Sequence, residues 1–192
     1  ASGGYYLDDG PGANPPADLL AIPDAVPRAE PLHRHAARAY EALGVNYTPL
    51  SEAGAYSQEG VASWYGRRYH GKATSSGEVY DMYAMTAAHP ILPIPSYARV
   101  TALDSGKSVI VRINDRGPFH SDRLVDLSYT AAYKLGLLGR GSGRVRVESL
   151  DPTRFQASAA SGNALASAGY YLQLGVFGNP DNAPAALLAR AD

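Results

Sequence analysis

Ser108-Val109-Ile110-Val111-Arg112-Ile113-Asn114-Asp115-Arg116-Gly117-Pro118 is the stretch that decides how this chain is built. Val and Ile lose side-chain freedom in a helix and pack well on a pleated surface, so Ser108–Ile113 reads as a strand. Asn114 breaks the β-branched run, and Gly117-Pro118 turns the chain away. Working outward, Val61–Tyr65 is a short apolar run bounded by Gly60 and Gly66. Ala98–Leu103 alternates, and Arg144-Val145-Arg146-Val147-Glu148 alternates with a period of two. One helix is predicted after Ser128 as N-cap, with Tyr129, Ala132 and Tyr133 on one face and Gly136 past its end. A second helical turn is predicted near Met85–Ala88, and a short helix over Arg34–Leu43. Many short strands, Gly/Pro turns and few helices point to a mainly β protein built as a small closed barrel.

Composition narrows the function classes. The 192 residues carry 18% charged side chains, a formal net charge of −1 and no Cys. The near-neutral balance argues against a nucleic-acid partner. Zero Cys removes disulfide scaffolds, thiolate zinc sites, iron–sulfur clusters and cysteine nucleophiles together. No apolar run approaches the ~18 residues of a membrane-spanning helix. With Ala1 in place of an initiator Met and no signal peptide, the chain is expected to be a processed form.

The chain divides by composition. Residues 1–39 hold six of the 14 prolines and read as a tether. Residues 40–150 carry the globular signal. Within 60–150, twelve Lys and Arg face seven Asp and Glu, so a mildly basic core lies between acidic flanks. Such a surface suits a polar or anionic polymer. Residues 151–169 read as a flexible linker. In residues 170–192, Tyr170–Phe177 reads as a strand and Asn182–Arg190 as the opening of a helix. That is too little to bury a core, so this tail is expected to be disordered.

No Gly-x-Ser-x-Gly, P-loop, dinucleotide fingerprint or His-Glu-x-x-His pattern occurs, and the core histidines His70, His89 and His120 are too dispersed for a local metal site. No cofactor and no metal are therefore expected. The positive signal is carboxylates beside turns. Asp115 ends a strand and is held by a Gly-Pro turn, though an Asp there often only caps the turn. Glu78 lies in Ser75-Ser76-Gly77-Glu78, where a lone Glu is usually just solvated. Two carboxylates on one cleft are what glycosidic cleavage uses. Trp64, Tyr65, Tyr69, Tyr80 and Tyr83 surround the same loops and could line a sugar groove, although at least half should be core. Lys72 and His89 are candidates to bind substrate or hold a carboxylate.

These segments resemble a known family. Gly60-Val61-Ala62-Ser63-Trp64-Tyr65-Gly66 is similar to the entry motif of the rare lipoprotein A family. The likeness runs on through His70–Glu78, Tyr80–His89, Leu92–Val100, Val111–Phe119 and Asp126–Tyr129. It covers roughly residues 40–150. It implies a six-stranded double-psi β-barrel with a groove across one face. It also implies a monomeric bacterial lipoprotein on the periplasmic face of the outer membrane, enriched at the division septum. Its acylated Cys would have preceded Ala1, its only membrane contact. Residues 170–190 are similar to the start of a sporulation-related repeat (SPOR) domain, which binds peptidoglycan stripped of stem peptides.

Some members are lytic transglycosylases, which cut the β-1,4 bond between N-acetylmuramic acid and N-acetylglucosamine and leave 1,6-anhydro ends. By that resemblance Asp115 would be the acid/base. Glu78 would stabilise the oxocarbenium-like centre, and His89 would position substrate or tune Asp115. Lys72, Ser76, Tyr80, Trp64, Tyr65, Asn114 and Arg116 would contact peptidoglycan glycan strands, with no nucleic acid. The alternatives are an expansin-like module that binds glycan without cutting it, and a hydrolase using the same carboxylates.

Overall fold

A computed structural model describes Gly10, Gly12 and residues 14–52, 54–120 and 122–157. Six strands close a barrel in the order β3 (Ser57–Tyr65), β7 (Val125–Ser128), β4 (Thr86–Ala88), β6 (Ser108–Asp115), β5 (Ser96–Ala102), β8 (Gly143–Leu150). The pairs β3·β7 and β4·β6 are parallel, and the other four are antiparallel, with β3·β8 closing the ring. The alternation read in the sequence is the inside–outside alternation of these strands. Val109, Val111 and Ile113 of β6 point inward and are buried. They meet Ala98 and Val100 of β5, Val145 and Val147 of β8, and Val125 and Leu127 of β7. This mainly β, six-stranded closed barrel is the double-psi architecture that the motifs imply.

The helix α1 (Tyr129–Leu135) forms as its caps dictate. Ser128 Oγ accepts from Ala131 N at 3.3 Å, and Gly136 takes the left-handed conformation at φ 76° while its N–H closes the last turn. A 3-10 turn, Leu138–Arg140, follows it.

Two expected helical pieces are strands or turns instead. Met85–Ala88 contributes β4, because Thr86–Ala88 lies between β6 and β7 and both neighbours need its backbone groups. Ring closure overrides the helical preference of Met and Ala. Arg34–Leu43 turns at 34–37 and then enters the hairpin of β1 (Tyr40–Ala42) and β2 (Val45–Tyr47). Its two-residue loop places Leu43 at φ 50° and Gly44 at φ 75°. That geometry matches strand twist in a tight hairpin. Tyr40 and Tyr47 stack at 5.2 Å between ring centres, with Phe119 against both.

Much of the stretch read as a tether lies along the barrel. β4 covers β6 only from Arg112 onward, so the edge of β6 before it is open. There Ile110 N donates to Asp24 Oδ2 at 2.8 Å, and Ala25 N donates to Ile110 O at 3.0 Å. Lys134 of α1 bonds Asp24 and the Ile22 carbonyl, and Ile22 and Ala25 pack on the core. His33 N donates to Ile94 O at 2.8 Å, and Ala36 is buried. Unpaired strand-edge groups need partners, and this segment supplies them. Of the linker expected over 151–169, residues 152–157 are helical instead, and the remainder, with the strand and helix expected in 170–192, lies outside the described residues.

Candidate active site

The turn Thr74–Glu78 lies against the end of β6, so that Ser75 bonds Asp115 while Glu78 bonds Arg112 and Asn114. Gly77 sits at φ 81° inside this turn and Gly117 at φ 123° just past Asp115, conformations that residues with a side chain rarely adopt. A bulge adds the decisive local twist. Ala87 pairs with Ile113 and Ala88 with Asp115, so Asn114 is the extra residue and Asp115 is re-aimed at the strand end.

Asp115 Oδ1 accepts three hydrogen bonds, from Ser75 N (2.8 Å), Ser75 Oγ (2.7 Å) and Arg116 N (2.8 Å). Its Oδ2 has no hydrogen-bond partner among the described residues. The carboxyl is thus held by one oxygen and, among the described residues, open at the other.

Glu78 is bound differently. Arg112 Nη1 donates to both its oxygens at 2.8 and 2.7 Å, and Asn114 Nδ2 donates to Oε2 at 3.0 Å. Partial burial pushes its pKa up. The hydrogen bonds from Arg112 and Asn114, with the Arg112 charge, outweigh that and leave it below the usual carboxylate value. Glu78 is therefore a standing carboxylate and a poor proton donor.

Arg112 also grips Glu30 from the Pro-rich segment, with Nε and Nη2 each 2.9 Å from a Glu30 oxygen, while Tyr97 donates its hydroxyl to the same carboxylate. Burial opposes ionisation of Glu30, but the Arg112 bond is the largest influence and brings its pKa down to about 2. One guanidinium thus bridges two carboxylates.

Glu30, Ser76, Glu78, Pro95 and Arg112 line an open cavity of about 480 Å³, whose opposite wall is Leu32–His35. That is within the size range of ligand pockets, about 300–1,000 Å³. Asp115 is not among its lining residues and stands across Ser75 from it. Among the described residues, no three His, Cys, Asp or Glu side chains gather as a metal-holding group.

The other sequence candidates have varied positions. Ser76 lines the cavity, its Oγ 2.9 Å from Thr74 Oγ1 and its N–H on the Asn114 carbonyl. Asn114 is buried and serves Glu78. Lys72 is exposed, its ammonium 5.6 Å from the Tyr69 ring centre. Tyr65 and Tyr80 stack at 4.1 Å inside a second core cluster with Met82, Ala88 and Tyr129, and half-buried Trp64 packs its edge against Tyr129. Burial of that kind makes Tyr65 and Tyr80 structural supports rather than groove walls, while Trp64 keeps part of its surface exposed. Arg116 reaches the carbonyls of His89, Leu92 and Ala36, clipping three segments together behind Asp115.

His89 is fully buried. Its Nδ1 accepts from Ile91 N (3.2 Å) and Leu92 N (3.0 Å), and its Nε2 lies 3.1 Å from the Tyr56 hydroxyl. It meets Asp115 through the backbone, His89 N donating to the Asp115 carbonyl at 3.1 Å. Burial, helped by the Arg116 charge, lowers its pKa to about 3, so the ring is neutral. The unfolded chain would take up a proton near pH 6.5 and the fold only near pH 3. Stability is then complete above pH 6.5 and falls as pH drops below it, by up to about 1.4 kcal/mol per pH unit. His89→Asn is expected to flatten the curve of Tm against pH between 6.5 and 4. A parallel decline in both proteins would assign the acid sensitivity to other groups.

Sequence reading passed over Arg112, Glu30 and Ser75. A signal for Arg112 was present. In an alternating strand, positions 112 and 114 share the face opposite Val111 and Ile113, beside Asp115.

Comparison with known proteins agrees with this picture. Residues 57–147 match a family model described as lytic transglycolase. Two similar relatives bear the name endolytic peptidoglycan transglycosylase RlpA. One, from Pseudomonas aeruginosa (strain UCBPP-PA14), is 56% identical over 142 residues, which is 73% of this chain and 41% of the relative. Another, from Neisseria meningitidis (serogroup A, strain Z2491), is 55% identical over 132 residues, 69% of this chain and 55% of the relative. Among solved structures, a Streptomyces papain inhibitor covers 50% of this chain and 96% of its own length, with 19% identity and a TM-score of 0.42. The chain spans about half the length of the curated relatives it matches. Residues 57–147 carry the barrel of that family model, and over this region the chain is similar to proteins of the rare lipoprotein A family.

Proposed function

We propose that this barrel is a peptidoglycan lytic transglycosylase. It cleaves the β-1,4 bond between N-acetylmuramic acid and N-acetylglucosamine and prefers strands without stem peptides. The observation that carries the reading is Asp115, held by three donors on Oδ1 and with no partner on Oδ2 among the described residues. Such a group can hold a proton at a fixed place and exchange it.

The reaction needs one proton moved twice. Asp115 Oδ2 gives its proton to the glycosidic oxygen as the bond from muramic C1 breaks and N-acetylglucosamine leaves. The C6 hydroxyl oxygen then closes on C1, and its proton goes to Asp115. The 1,6-anhydro ring forms, no water is consumed and the carboxyl returns to its starting state. Glu78, a carboxylate throughout, offsets the positive charge that develops at C1. Arg112 and Asn114 hold it in place. The same reading takes the parent protein to be a monomer anchored by a lipid on the periplasmic face of the outer membrane.

Mass spectrometry of products from glycan lacking stem peptides tests the reaction. Fragments ending in 1,6-anhydro-muramic acid are expected. Products one water heavier would replace this reading with hydrolysis. Intact glycan that the protein nonetheless retains would replace it with a binding module.

A further inference from the structure

The cavity has a second wall that the proposed chemistry does not use. Glu30 and Ala36 fix its two ends. Glu30 is tied to Arg112 and Tyr97, and the Ala36 carbonyl accepts from Arg116 at 2.7 Å. Between them, Ala37 N donates to His33 O at 3.1 Å, and Ala36 N donates to His33 Nδ1 at 3.3 Å. The wall is therefore docked at both ends and braced in the middle, and Leu32–His35 are presented to the cavity opposite Ser76 and Glu78.

The charges on the two sides differ in kind. Both cavity carboxylates are already ion-paired, Glu30 with Arg112 and Arg28 and Glu78 with Arg112, so two guanidinium charges answer two carboxylates. Arg34 is exposed, and its side chain makes no hydrogen bond or ion pair among the described residues. The uncommitted full charge of the cavity lining is thus a guanidinium. His33 stands beside it with Nδ1 already accepting, which leaves the proton of the neutral ring on Nε2 as a donor. The His35 ring lies 5.9 Å from the His33 ring, centre to centre. The same wall thus offers the cavity a guanidinium and two imidazoles, and a guanidinium fork matches a planar, two-oxygen anion.

We infer that Arg34, with His33 and His35, forms a carboxylate-binding subsite that recognises an acid group carried by the glycan. The inference rests on the glycan reading above for its substrate class. Two sources supply such a carboxylate: the lactyl group of a muramic acid residue with no peptide, or the free end of a stem peptide.

The test is isothermal titration of the non-cleaving Asp115→Asn protein, as the full chain, with a soluble glycan oligomer in three forms. One has free lactyl carboxylates, one has them reduced to alcohols, and one has them joined to stem peptides. The free form is expected to bind roughly tenfold more tightly than the reduced form, the scale of one charge-assisted contact. Adding Arg34→Ala should remove that difference by weakening the free form alone, and Arg34→Lys should restore part of it. If the peptide-linked form binds as tightly as the free form, and Arg34→Ala weakens both, the peptide is the source. Equal binding of free and reduced forms, equal weakening of both by Arg34→Ala, or no binding of any form would overturn the subsite. Cleavage by the unaltered protein is scored separately. Carboxylate discrimination without anhydro products would keep the subsite and overturn the enzyme reading. Anhydro products without discrimination would do the reverse.

Discussion

Asn in place of Asp115 is expected to lower glycan cleavage by roughly 10²–10⁴-fold, the contribution of a positioned general acid and base. The effect should lie at the upper end, because the same oxygen serves both proton transfers. The fold should survive. An amide oxygen at Oδ1 still accepts from Ser75 N, Ser75 Oγ and Arg116 N, which are all donors. What changes is Oδ2, where an NH₂ group can neither give the required proton nor take one back. Turnover measured beside Tm separates the two effects. A loss of turnover with Tm within a few degrees supports the assignment. Full turnover in the variant would remove Asp115 from the reaction.

Arg112→Met is expected to damage both activity and architecture. Met keeps the apolar stem but removes the guanidinium donors from Glu30 and Glu78 at once, leaving Glu30 to Tyr97 and Glu78 to Asn114. Glu30 and Arg112 side chains are each only 17% exposed, so the loss is felt by poorly solvated groups. Breaking a fully buried pair costs about 3–5 kcal/mol, and this half-wet site should lose about 2–3 kcal/mol. That weakens docking of the 22–36 segment, which offers trypsin Arg28 and Arg34. Limited proteolysis should therefore cut there roughly 30–150-fold faster, by the same free energy. Cleavage of glycan should fall as well, because Glu78 loses its main anchor. Glu78→Gln separates the two roles. It should slow turnover while leaving Glu30 on Arg112 and the segment protected. Unchanged proteolysis in Arg112→Met would show that the hydrogen bonds to Ile110 and Ile94 hold the segment without the ion pairs.

The parts of this protein that local chemistry controls were legible in the sequence. Alternation in Ala98–Leu103 and Arg144–Glu148, the β-branched run Ser108–Ile113 and the glycine-bounded run Val61–Tyr65 identified four of the barrel strands. Ser128 and Gly136 delimited α1 because a cap is a contact within a few residues. Asp115 stood out because a carboxylate between a strand end and a Gly-Pro turn is fixed by its own neighbours. The aromatic residues were less decisive. A Tyr in a turn reads the same whether it faces sugar or core, and the packing of Tyr65 on Tyr80 is a tertiary fact.

What the sequence by itself determined, then, is a mainly β barrel, its helix and the strand-end carboxylate, since each depends on periodicity or on neighbours close in the chain. The tertiary structure decided the rest. β4 is a strand only because two other strands flank it. The Pro-rich segment is a groove wall only because the short β4 leaves Ile110 with open backbone groups that Asp24 and Ala25 can satisfy. Glu30 and Glu78 share Arg112 across separations of 82 and 34 residues. No local pattern encodes such a bridge, because its stability comes from desolvated charge brought together by barrel closure.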